Sequence, residues 1–411
     1  MSKENITSRG EIDVHMYSQE DPTSTCPPLA GRTGKTRRSP IRKMFDLAHS
    51  FDGEDLVHLE IGEPDFDTPD HVIKAATEAA NAGATHYTSN PGLPTLRKAI
   101  ADDIAGNYDP ATEIIVTAGG MEALSLAMLT VLDPGEEMVV PSPCWPNYRT
   151  QAAMVDASFV EVPLPADDGF DLDGEQIATK VSDDTGVVLL TTPSNPTGRV
   201  FDPTDIRRVV EAAAEHDAYI IADEVYKDLT YGTDFSSVVE TTSHRESVIT
   251  IGSCSKTYAM TGWRVGWFAA PSTVTDAAVK FHESTVACAP AISQHAAVTA
   301  LEGDQEPITR MHDAFAKRRE YVVDRIASLP GISCPTPEGA FYVFLDISSV
   351  GIDADAAAQK LLTEYEVVTA PGSGFGTEYE GYLRISFAND IDRLAEGFDR
   401  FEAFVEREQK Q

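Results

Sequence analysis

A chain of 411 residues has room for two or three domains, which excludes a single small binding module. Hydrophobic residues make up 42% and charged residues 24%, so most of the chain can bury a core and wholesale disorder is excluded. The 66 Asp and Glu outweigh the 32 Lys and Arg to leave a net charge of −34, a surface that repels polyanions and excludes nucleic acid held through phosphate contacts.

Residues 1–36 are polar, rich in Ser, Thr, Pro and charge, and without apolar period, which predicts a mobile extension with folding from near Ser39. The N-terminus lacks the apolar core of a signal peptide, and no later run approaches the ~18 apolar residues of a spanning helix. A cytoplasmic protein without a membrane partner is expected. GRTGKT (Gly31 to Thr36) has the look of a phosphate loop, but its spacing would need Gly where Leu29 stands, and no strand precedes it. Cys26, Cys144, Cys254, Cys288 and Cys334 are odd in number and never spaced C-x-x-C, so free thiols are expected, with neither a disulfide framework nor a metal site. With 12 Lys beside 20 Arg and abundant carboxylate, the composition suits a halophilic cytoplasm in which salt screens self-repulsion.

From about residue 70, helical patterns alternate with short apolar runs, the signature of an α/β fold: a three-layer, mostly parallel sheet with helices on both faces. HVIKAATEAANAG and LPTLRKAIADDIAG read as helices ending at Gly. EIIVTAGG, EEMVVPSP, GVVLLTTPSNPTG, AYIIADEVY and VITIGSCSK each begin as a β-branched strand and end in polar or Gly residues, tails that should share one crevice at the carboxyl ends of the strands. After about residue 300, helix, strand, helix, VVTAPG, YLRISFA and a final amphipathic helix from Asp392 suggest a smaller α+β domain.

Four features of that crevice carry chemistry. Lys256 follows an apolar strand among small and hydroxyl residues, where a dry lysine can lose its proton and form an imine with a carbonyl; most lysines near strand ends are merely solvated charges. Asp223 ends a buried run and needs a cationic partner, unless it or Glu224 caps a following helix. Asn195 stands between two prolines in PSNPTG, and TAGGMEAL joins a strand, a Gly pair and a helix start whose amides can cradle a phosphate. Each is weak alone, but together at strand ends of one sheet they are specific.

With IGEPDFDTP, HYTSNPGLPTLRKAI, PSPCWPNY, SCSKTYAMTGWRVGW, PEGAFYVF and YLRISFA, these segments resemble the class I/II pyridoxal-phosphate aminotransferases of fold type I, in the family's order from about residue 39 onward. The resemblance implies pyridoxal 5'-phosphate held covalently by Lys256, with Asp223 on its ring nitrogen. Asn195 and Tyr226 would bind the phenolic oxygen and Trp145 would stack on the ring. Gly120, Met121, Ser253 and Arg264 would take the phosphate, joined by Tyr87 from the second subunit of a homodimer. Arg384 and Gly62 would hold the substrate carboxylate. It further implies a small domain built from segments 37–60 and 301–411 around a large cofactor domain, 61–300. Glu122 departs from the family's usual Gln, which reads either as a different set of groups behind the site or, preferred here, as part of the acid-rich composition. The implied activity is ping-pong transfer of an amino group from an L-amino acid, aspartate favoured, to a 2-oxo acid. The competitors are a carbon–sulfur β-lyase on the same site and a regulator that kept the fold.

Overall fold

Continuous apolar, β-branched runs decide which segments become the central strands. The computed structural model describes residues 27–410 apart from 37, 52 and 54; residues 1–26 of the expected extension, Cys26 included, lie outside the described residues. The described strands are β1 (Val57–His58), β2 (Ile114–Thr117), β3 (Glu137–Ser142), β4 (Ser158–Pro163), β5 (Thr185–Thr191), β6 (Tyr219–Asp223), β7 (Val248–Ser253), β8 (Gly266–Ala269), β9 (Tyr342–Asp346), β10 (Val367–Val368), β11 (Ala370–Pro371) and β12 (Tyr382–Ser386).

Seven strands form one sheet in the order β2-β8-β7-β6-β5-β3-β4. Pairing is parallel from β4 through β7, while β8 runs antiparallel to both β7 and β2. Two successive reversals leave β2 pointing with the parallel set, so the carboxyl ends of β2, β3, β5, β6 and β7 meet at one edge. β8 begins at that edge instead of ending there.

Each central strand divides its side chains between two cores, as a period of two requires when both faces are covered. Val188, Leu190, Ile220 and Ala222 enter one cluster. Val187, Leu189, Ile221 and Ile251 enter the other, on the opposite face. The predicted helices stop just short of their glycines, at Asp70–Asn81 and Pro94–Asp103, with Gly83 and Gly106 at positive φ beyond them. β4 and β8 were not among the expected strands. β4 is half-buried along most of its length, which dilutes its apolar signal, and β8 is four residues that open on Gly266.

A third core cluster gathers β9 and β12 with the helices Glu306–Ala327, Ala354–Tyr365 and Ile391–Glu408, and takes in Met44 and Ala48 of the helix Pro40–Ser50. Here β11-β12-β9 is antiparallel, and β1 pairs with β10 in parallel. The final helix starts at Ile391 because Asp390 caps it, accepting from the amides of Asp392 and Arg393. Contacts begin ahead of Ser39: Gly31–Gly34 form an exposed 3-10 turn, and Lys35 pairs with Asp156 at 2.8 Å. Cys144, Cys254, Cys288 and Cys334 are free thiols. No helix among the described residues is long and apolar enough to cross a membrane.

Candidate active site

The shared strand edge opens into a cavity of about 690 Å³. Gly62, Gly120, Met121, Trp145, Asn195, Asp223, Tyr226, Ser253, Lys256, Arg264 and Arg384 all line it. Tyr87 does not; it stands on the surface, 88% exposed.

Lys256 sits in the turn Cys254–Thr257 directly after β7, a turn opened by Ser253, whose hydroxyl accepts from the Ser255 amide. Its amine donates to the Gly62 carbonyl, and burial in the cavity wall pushes it down to about 8. Asp223 ends β6 and is 3% exposed. Tyr148 donates to its Oδ2 at 2.6 Å, yet burial still raises the carboxyl to about 6, since a neutral hydroxyl compensates a buried charge only in part. A turn, not a helix, directly follows Asp223. Glu224 turns away instead, accepting from Ser237 Oγ and the Val238 amide, so Asp223 is the acid left to the cavity.

The turn between β2 and the helix Gly120–Val131 is tight for a physical reason. Gly119 has φ of 85°, and a Cβ there would meet Arg264 Nη2 at 2.5 Å. Arg264, just before β8, reaches this turn because β8 starts at the shared edge; its Nη2 donates to the Ala118 carbonyl at 3.3 Å. Arg384 arrives from the three-stranded antiparallel sheet, in the middle of β12, and is 2% exposed. Its Nη1 donates to Asn195 Oδ1 at 3.1 Å, its Nη2 donates to the Glu60 carbonyl, and its Nε has no partner. The guanidinium lies 4.4 Å from the centre of the Tyr342 ring. Burial pushes it below its usual range, so an incoming carboxylate would meet a poorly compensated cation.

Residues 54–400 match the family described as aminotransferase class I and II. The chain belongs to this aminotransferase family. It is 37% identical to the aspartate aminotransferase of Musicola paradisiaca, over 92% of this chain and 99% of the relative. It is 36% identical to aromatic-amino-acid aminotransferase 2 of Thermococcus litoralis, over 91% and 97%. The aspartate aminotransferase of Thermus thermophilus, solved with maleate, superposes with a TM-score of 0.87 at 32% identity, covering 92% of this chain and all of that one. The protein is thus an aminotransferase dependent on pyridoxal phosphate, and no finding favours the lyase.

The aminotransferase cavity fits that cofactor: a half-buried amine, a buried acid lacking a cation, and a glycine turn with an arginine across it share one wall. Sequence reasoning missed three groups. Tyr148 lies in a quoted motif, but its partner Asp223 is distant in the chain. Tyr342, whose hydroxyl is 3.0 Å from that of Tyr226, reads as core. Arg38, Ile41, Arg42 and Phe45 follow a helical spacing and line the cavity, a pattern hidden among the cations around it.

Proposed function

We propose that this aminotransferase works through the residues that share the cavity, the carrying observation being that Lys256, Asp223 and Arg384 face one space from two structural units. Pyridoxal phosphate, when bound, supplies an electron sink for charge at the substrate Cα. Lys256 holds it covalently and, once released, has an amine poised near neutrality to take the Cα proton. Asp223 holds the proton on the ring nitrogen. Tyr226 and Asn195 take the phenolic oxygen, Trp145 covers the ring, and the Gly120 and Met121 amides, Ser253 and Arg264 take the phosphate. Arg384, fixed by Asn195 and Glu60, grips the substrate carboxylate beside Gly62.

We infer aspartate as the preferred amino donor. Arg38 and Arg42 bring cations to the cavity mouth, where both pair with Asp46, and relatives include aspartate aminotransferases. Aromatic amino acids are the second reading, favoured by Ile41 and Phe45 on the same helix face and by the Thermococcus litoralis relative. Amino acids offered one at a time with 2-oxoglutarate, followed by cofactor absorbance, decide between them. Conversion by a donor lacking a leaving group separates transfer from β-elimination. Arg42→Ala should lower kcat/KM for aspartate several-fold and spare phenylalanine.

The exposed Tyr87 ring supports a homodimer in which it reaches the second subunit's site. The charge of −34 supports a halophilic cytoplasm. Dilution from molar to 0.1 M salt should then loosen the dimer, with added pyridoxal phosphate protecting it through binding to the native state. Equal stability and an intact dimer at both salts in sedimentation would remove the halophilic reading alone.

A further inference from the structure

Glu122, which reads in the sequence as one more acid of an acid-rich chain, has a specific place. It lies in the first turn of the helix Gly120–Val131, mostly buried, with both carboxylate oxygens engaged. Oε2 accepts the amide of Ala118 at 2.5 Å. Oε1 lies 2.6 Å from Nδ1 of His282, which is wholly buried on the helix Ser272–Thr285 and whose Nε2 has no partner. One proton lies between the two groups in this contact, and it joins them into a pair. Ala118 is therefore held at both ends, its amide by Glu122 and its carbonyl by Arg264.

An acid beside a phosphate site is electrostatically adverse unless it is compensated and its oxygens are turned elsewhere. Glu122 does not line the cavity, and its two oxygens are taken by the Ala118 amide and by His282 Nδ1. We propose that Glu122 and His282 act as one positioning couple that fixes the Ala118–Gly120 turn in the shape that receives the cofactor's phosphate. This rests on the reading of that turn as the phosphate cradle. The couple touches neither substrate nor the reacting atoms, so its signature is affinity for the phosphate end of the cofactor.

The test titrates apoenzyme with pyridoxal phosphate and with pyridoxal, which lacks the phosphate, in the parent, Glu122→Ala, Glu122→Gln, His282→Ala and the double alanine variant. Glu122→Ala should weaken pyridoxal phosphate about tenfold or more, the scale of a hydrogen bond to a charged group, and leave pyridoxal binding unchanged. Glu122→Gln, which keeps an acceptor for the Ala118 amide, should stay nearer the parent. The double variant should bind no more weakly than the worse single, as expected of residues that act as a unit. Unchanged pyridoxal phosphate affinity in Glu122→Ala, or equal losses for both ligands, overturns the proposal. A parent that binds both ligands equally overturns the cradle reading instead. Where Glu122→Ala does not fold, His282→Ala carries the test by the same split.

Discussion

Lys256 and Arg384 face one cavity from two different kinds of sheet. Lys256, Asp223 and Asn195 stand at or just past the carboxyl ends of parallel strands, where the backbone leaves the ladder and side chains turn into the crevice. Arg384 lies mid-strand in the central strand of an antiparallel sheet, opposite Phe344 and Ala370. Its direction is set by sheet register, with Asn195 and the Glu60 carbonyl fixing the guanidinium. In the proposed function the parallel edge carries the chemistry, and the antiparallel sheet supplies a rigid point of binding. Changes at the first should fall mainly on kcat and changes at the second mainly on KM.

Lys256→Ala is the harshest test of that division, since in the proposed roles it deletes the tether and the base together. Turnover should fall at least about 10⁴-fold with the fold intact, and mass spectrometry after borohydride should find no cofactor on the chain. Asp223→Asn should lower kcat about 10²–10³-fold with the cofactor still bound. The same change should stabilise the apoprotein. The folded carboxyl titrates near 6 against an ordinary 3.8, so its contribution is full below 3.8 and lost as pH rises through 6. Above pH 6 the variant should exceed the parent by up to about 3 kcal/mol in urea unfolding, and a less stable variant would break the account of Asp223 as an uncompensated acid.

Arg384→Lys tests the other side. A point charge cannot reproduce the bidentate fork, so KM for the amino acid should rise about 10–100-fold while kcat changes less. A pure kcat effect would erase the comparison. Tyr148→Phe should have the smallest effect, about fivefold in kcat, the loss of one hydrogen bond to a carboxylate whose charge stays in place. Because the hydroxyl holds the Asp223 carboxyl down, the acidic limb of the rate profile should move to higher pH. An unmoved limb would reduce Tyr148 to packing.

The same division explains what the sequence could tell. Strands covered on both faces are continuous apolar runs, and their polar tails lie adjacent in sequence, so Asp223, Asn195 and Lys256 were legible from short segments. Arg384 was legible only by resemblance, because an arginine inside a strand carries no local sign of what it faces. Tyr148 required the pairing of β3, β5 and β6 that carries its partner Asp223 toward it. The role of Glu122 required His282, which lies on a helix much later in the chain. Contacts of that span have no periodicity to betray them.

The reversal of β8 also bears on how the site assembles. Ser253 and Gly266 pair in an antiparallel ladder, so residues 254–265 are the loop of a hairpin that carries both Lys256 and Arg264. Hairpin closure joins segments near in sequence, whereas the strands that bring Asp223 and Asn195 alongside are joined through long crossovers. One short-range closure thus carries both the amine and the guanidinium, while Asp223 and Asn195 join them only through longer-range pairings.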